Sequence, residues 1–275
     1  QQLLDMTLDN LKYIKQNKLG YTKWLNVIQG TDDKNSKIWW DAVKKYKFSG
    51  WALAGSVGWR GGLDSVLHNV LMMRDEDAFS DGQDWLHVLG VSQPTWAVLL
   101  TAIQRELRKV NPKLRVSYDS ASPFQTVGRT RQLMRYPKFT KDFSTWVMTA
   151  QPNPFSSTYA DGGKSFHFPF SSPIGDRLLL EHLNVRSGEF QNRPIDSITD
   201  LLLMNHTLYV YVRAFLEANE MVFMRPSEAS QYAPQEMLDA VEIIHELILS
   251  DSWMNKYQKH KKFLNDVSKK LTQEL

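Results

Sequence analysis

Between residues 24 and 123 the chain repeats one order four times: a short apolar strand, a turn of small residues, and an amphipathic helix. Three of the strands read as "WLNVIQG" (24–30), "GWALAGSVG" (50–58) and "DWLHVLGVS" (84–92), and a fourth starts at Leu114 and ends on Asp119. The helices between them read as 36–47, with Ser36 placed to cap it, 62–75, and a third opened by Pro94 in its first turn. Strands separated by whole helices pair in parallel, with right-handed crossovers and with functional loops at their carboxyl ends. The expected fold class is α/β, a TIM-type (β/α)8 barrel of which four units, the equivalent of one half, are visible.

The rest of the chain departs from this rhythm. Residues 7–18 carry a helical pattern ahead of it, and "QPNPFSSTYADGGKSFHFPFSSPIGD" (151–176) is polar and punctuated by proline, without a clear period. Helical periodicity returns at 196–219, 234–250 and 252–273. The expected organisation is a half-barrel over 1–150, an irregular insertion over 151–195 and a C-terminal helical region over 196–275.

Composition excludes several classes. With 42% hydrophobic and 12% aromatic residues the chain has material for a sizeable core. No apolar run reaches the roughly 18 residues of a membrane span, and the first ten residues lack the layout of a secretory signal. The absence of cysteine excludes disulfides and thiolate metal ligands and suits a reducing compartment, so a cytoplasmic protein is expected. A net charge of +3 does not by itself imply nucleic-acid binding. Local clustering has to carry that reading, and "GRTRQLMRYPKFTK" (128–141) supplies it: Arg129, Arg131 and Arg135 follow the fourth strand with aromatic residues between them, a pattern suited to flanking phosphates.

Side chains alternate along a strand, so Arg115, Ser117 and Asp119 share one face of the fourth strand and Leu114, Val116 and Tyr118 the other. The polar face ends in the Asp119 carboxylate. Such a residue either closes an Asx-type turn or presents a carboxylate at the mouth of a barrel. His87 shares the strand face of Leu89 and reads, as a lone histidine, as a satisfied interior group.

Taken in order, "WLNVIQG", "GWALAGSVG", "WLHVLGVS" and "YDSASP" resemble the second half of the tRNA-guanine transglycosylase barrel, and "MNHTLYVYVRAFLEAN" (204–219) resembles that family's late helix. The resemblance spans residues 7 to about 220. It implies Asp119 as the nucleophile that attacks C1′ of a nucleotide, as carboxylates do in retaining glycosidases. It also implies base recognition by Gln29, whose amide both donates and accepts, by the backbone around Gly55, and by a wall formed from Leu89 and Gly90.

The departures from the family's pattern are equally specific. Its zinc cysteines are absent, its usual signature after the nucleophile is "DSASPFQTVGR" here, and its double-Gly turn is "AG". These changes resemble the divergent phage and bacterial branch that inserts 7-deazaguanine bases into DNA. DNA is therefore the expected polymer and tRNA the alternative, with a 7-deazaguanine base as second substrate and no cofactor. A target base inside a duplex has to be flipped out, and Phe124 is an aromatic residue placed to support that state. His206 falls where the family's zinc histidine would, with His167 and His182 upstream, but no metal is expected. The family's first half-barrel has no counterpart and the chain starts on Gln, which implies an incomplete sequence or a two-chain enzyme. A homodimer or a complementary barrel half is the expected partner. The other readings are a non-catalytic nucleic-acid-binding subunit and an unrelated barrel enzyme acting on a small phosphorylated substrate.

Overall fold

Four short strands, β1 (Leu25–Ile28), β2 (Gly50–Leu53), β3 (Trp85–Val88) and β4 (Arg115–Tyr118), form one parallel sheet whose spatial order is their chain order. The computed structural model describes residues 2–54, 62–80, 82–129, 132–151, 168, 170–179, 197–224 and 227–272. The expected strand–helix alternation is present, with α2 (Asp33–Val43), α3 (Gly62–Asp75) and α4 (Pro94–Leu107) as the crossovers. Order without reversal leaves no switch point of the doubly wound kind. The fold is thus a mixed α/β arrangement with an open four-stranded parallel sheet; a closed eight-stranded barrel is not present among the described residues.

The two faces of the sheet differ sharply. Asn26, Ile28, Trp51, Leu53, Leu86 and Val88 are at most 2% exposed, as expected for the face packed under helices. Trp51 meets Trp40 of α2 edge to face at 4.8 Å and donates its indole N–H to the Ala78 carbonyl. Asn26 is the polar exception on this face. Its amide donates to the Val43 and Tyr46 carbonyls, which satisfies acceptors left open at the end of α2. On the opposite face Leu25, Val27, Trp85, His87 and Ser117 are only half-buried and Arg115 is exposed.

Two local expectations change. The N-cap of α2 is Asp32, whose carboxylate accepts from the Asn35 backbone, whereas Ser36 lies inside the first turn and is buried. A carboxylate four residues earlier satisfies the orphan N–H first, so the helix starts earlier. The first helix, α1 (Gln2–Asn17), likewise begins ahead of residue 7.

The chain divides into two compact units, one formed by 1–91, 98–119 and 235–275 and the other by 92–97 and 120–234. This division splits the C-terminal helical region that the periodicity groups as one. Helices α8 (Gln235–Ile248) and α9 (Trp253–Thr272) belong with the sheet because they hold both ends of α3. At its start Ser268 donates to the Asp64 carboxylate at 2.9 Å. At its end Arg74 donates to the Leu247, Ile248 and Ser250 carbonyls, and Trp253 donates to Asp75.

The second unit contains α5 (Ser122–Gly128), a two-stranded antiparallel sheet of β5 (Leu133–Arg135) and β6 (Thr149–Gln151), α6 (Ser197–Asn219), a π-helical turn (Glu220–Met224) and α7 (Ala229–Tyr232). Its core joins Val127 and Leu133 to Leu203, and Met134 and Met148 to Val210, Tyr211 and Ala214. No helix among the described residues is long and apolar enough to cross a membrane.

The close approach of β2 to β3 depends on Gly50. A Cβ there would lie 2.0 Å from the Trp85 carbonyl oxygen, an overlap that only a backbone shift relieves. Gly50→Ala should lower unfolding stability by about 2 kcal/mol or more in a urea titration.

Candidate functional site

The register of β3 and β4 places His87 opposite Ser117, so the next same-face pair, Leu89 and Asp119, sits at the carboxyl end of the sheet. A hydrogen-bonded chain runs along this face. The Trp85 indole donates to the Ser117 hydroxyl oxygen at 2.6 Å, that hydroxyl lies 2.8 Å from His87 Nδ1, and His87 Nε2 lies 3.3 Å from Asp119 Oδ1. An ionised carboxylate only accepts, so His87 Nε2 carries the proton donated to Asp119, and in the neutral ring Nδ1 then accepts from the Ser117 hydroxyl, which itself accepts from the Trp85 indole.

A second donor meets the same oxygen. The Gly90 N–H reaches Asp119 Oδ1 at 3.3 Å, and the Asp119 carbonyl accepts from the Val91 N–H at 3.0 Å. Gly90 has φ of +79°, the left-handed region that favours glycine, and this turn aims its N–H at the carboxylate. Asp119 Oδ2 has no hydrogen-bond partner among the described residues, and the side chain is 60% exposed against 19% for His87. The arrangement is a carboxylate with one oxygen fixed by two N–H groups and the other open. Chemically it can accept a further hydrogen bond or attack an electrophilic carbon.

The expected site residues separate into groups. Leu89, Gly90 and Asp119 come together at the ends of the adjacent strands β3 and β4. Gln29 follows β1 at the same end and is exposed, but three inter-strand spacings, about 14 Å along the sheet, separate its strand from β4. Gly55 and Arg131 lie outside the described residues. Arg129 closes α5 through its backbone N–H to Gln125, Arg135 is on β5, and both are exposed residues of the second unit, as is Phe124. His87, read from the sequence as a satisfied interior group, is hydrogen-bonded to the Asp119 carboxylate instead. Its signal was the two-residue spacing to Leu89, which becomes informative only once the register with Ser117 is known.

His206 is the other histidine with a defined environment. It is fully buried on α6, its Nδ1 is 2.8 Å from the Ser172 hydroxyl, and its ring packs on Phe168 at 4.7 Å. Its Nε2 has no partner among the described residues. Among the described residues no group of three or more histidine or carboxylate side chains could hold a metal ion; His167 and His182 lie outside them.

Two measurements follow from these environments. Nitrogen-15 shifts should show His87 as the Nε2–H tautomer, with Asp119→Ala producing a tautomer mixture because no carboxylate then holds the Nε2 proton. Burial lowers the His206 pKa from 6.5 to about 4, so as pH falls the unfolded chain binds a proton before the folded one does. Stability should be insensitive to this group above pH 6.5 and should fall by about 3 kcal/mol between there and pH 4. Denaturation midpoints across that range should show the loss, and His206→Gln should flatten it.

No family model, no curated protein and no solved structure matches this chain.

Proposed function

We propose that the chain is a transglycosylase that exchanges guanine in a nucleic acid, DNA in the first place, for a 7-deazaguanine base. The observation that carries this reading is the Asp119 carboxylate, with Oδ1 held by His87 and Gly90 and Oδ2 open at the carboxyl end of a parallel sheet. Oδ2 attacks C1′ as the C1′–N9 bond breaks, and guanine leaves with the bonding pair and is protonated from solvent. The incoming base then attacks C1′ through its own ring nitrogen and loses its proton, the carboxylate departs, and the configuration is retained without ATP.

His87 is a positioning residue in this scheme. By donating to Oδ1 it fixes the plane of the carboxylate, and the Ser117 hydroxyl, hydrogen-bonded to Nδ1, holds the ring in place. Ser120, Ala121 and Ser122 follow Asp119 with little bulk, which leaves room for a sugar. Arg129, Arg131 and Arg135 are assigned to backbone phosphates, and Gln29 and the Gly55 turn to the base edge. The choice of DNA rests on the departures in "DSASPFQTVGR". One observation favours a second reading: Leu25, Val27, Trp85, His87 and Ser117, on the face that carries Asp119, are only half-buried although Gly50 and Ala52 between them are buried, as in a nucleic-acid-binding subunit completed by another chain.

Incorporation of labelled 7-deazaguanine into duplex DNA and, in parallel, into tRNA tests the proposal. Wild-type protein should label DNA, and Asp119→Asn should lose about 10³-fold or more while DNA binding is retained, because an amide is a poor nucleophile at carbon. Activity retained in the variant would remove the nucleophile assignment. Labelling of tRNA alone would keep the chemistry and change the polymer, and DNA binding without exchange by wild-type protein would support the subunit reading.

A further inference from the structure

Ser117, His87 and Asp119 stand to one another as a nucleophile, a base and the group that orients the base. Ser117 Oγ lies 2.8 Å from His87 Nδ1, and His87 Nε2 lies 3.3 Å from Asp119 Oδ1. With the carboxylate ionised the ring keeps its proton on Nε2, and the Nδ1 lone pair faces the serine hydroxyl. A serine whose proton already points at a basic nitrogen can give it up as the oxygen attacks. All three residues belong to one compact unit, and the pairing of β3 with β4 sets their spacing.

The surroundings of Ser117 suit an electrophile. Strand β4 is at the edge of its sheet, so no strand flanks Ser117 on the far side among the described residues. Ser117 itself is half-buried, and its neighbours along the same strand face, Arg115 and Asp119, are exposed. The Trp85 indole N–H meets Oγ at 2.6 Å. A donor beside Oγ is also beside the oxygen of any carbonyl carbon that bonds to Oγ, where negative charge develops on attack. The Arg115 guanidinium makes no hydrogen bond or ion pair among the described residues and stands two residues, roughly 7 Å, from Ser117, which suits an anionic group on the substrate.

We propose that Ser117, His87 and Asp119 act as a serine esterase triad on carboxylic esters that carry an anionic group. Ser117 Oγ bonds to the acyl carbon, its proton passes to His87 Nδ1, and the carbonyl π pair moves to oxygen beside the Trp85 N–H. The oxyanion collapses, the alkoxide leaves with the proton from Nδ1, and the acyl group stays on Ser117. Water then attacks the acyl carbon, gives its proton to Nδ1, and Ser117 departs and takes that proton back, so one ester and one water become an acid and an alcohol. Asp119 Oδ1 stabilises the imidazolium in both halves. The inference does not rest on base exchange, which uses Oδ2.

A fluorophosphonate probe tests it on the full chain without nucleic acid, so a failure of base exchange leaves the readout untouched. Mass spectrometry of the peptides should place the adduct on Ser117. His87→Ala should slow labelling by about 10²-fold or more with the far-ultraviolet circular dichroism unchanged. p-Nitrophenyl hemisuccinate should be hydrolysed with about tenfold higher kcat/KM than p-nitrophenyl acetate, and Arg115→Gln should remove that preference. A wild-type chain without an adduct on Ser117, or labelling of His87→Ala at the wild-type rate, would overturn the triad. Equal turnover of the two esters by wild-type protein would overturn the anionic substrate class.

Discussion

The in-order parallel register of the four strands is the constraint on which the site depends. Because His87 lies opposite Ser117, three polar side chains from two strands form one hydrogen-bonded row that ends on Asp119. A slip of one residue of β4 against β3 would turn Ser117 and Asp119 toward the helix-covered face, where Leu86 and Val88 are fully buried, and Val116 and Tyr118 away from it. The burial that stabilises the sheet therefore also fixes the register of the candidate site. The Trp40–Trp51 contact and the Asn26 bonds to the end of α2 act on the same face and tie the first crossover to the same plane.

Much of this sheet was legible in the sequence. Apolar runs ending in small residues, separated by helices with a 3.6-residue period, led to parallel strands in the right places, and alternation put Asp119 on the polar face of its strand. What the sequence hid were relations between segments. Nothing local to His87 reveals that Ser117, 30 residues later, meets its Nδ1. Nor does periodicity show that α6 packs with α5 and β5 while α8 and α9 pack with α3, since all three helices carry the same signal. The β5–β6 pair escaped notice because three-residue strands are too short for alternation to be read. At α2 the competition between two capping residues, Asp32 and Ser36, was local but was decided by which one reached the earlier orphan N–H.

The two histidines show how burial and partnership divide chemical roles. His206 is enclosed by Phe168 and the core of its unit, and burial holds its pKa near 4, so it is neutral wherever the protein is folded at ordinary pH. Its hydrogen bond to Ser172 serves packing. His87 is also bonded to a serine, but its other nitrogen faces a solvent-exposed carboxylate. An imidazole fixed on one side by a structural donor and presented on the other to an open acid is a means of orienting that acid.

The α3 contacts extend this logic to the segment ahead of that helix. Residues 55–61 join β2 to α3, and the helix is gripped at both ends by α8 and α9, about two hundred residues later in sequence. Gly62, at the first position of α3, has φ of +49°, and a Cβ there would lie 2.3 Å from the Ser268 Cβ. Its conformation and its proximity to α9 both demand glycine. The Asp64 carboxyl, raised in pKa by burial, gives back part of that cost through its bond from Ser268. The start of α3 is thus fixed by the C-terminal helix rather than by local sequence.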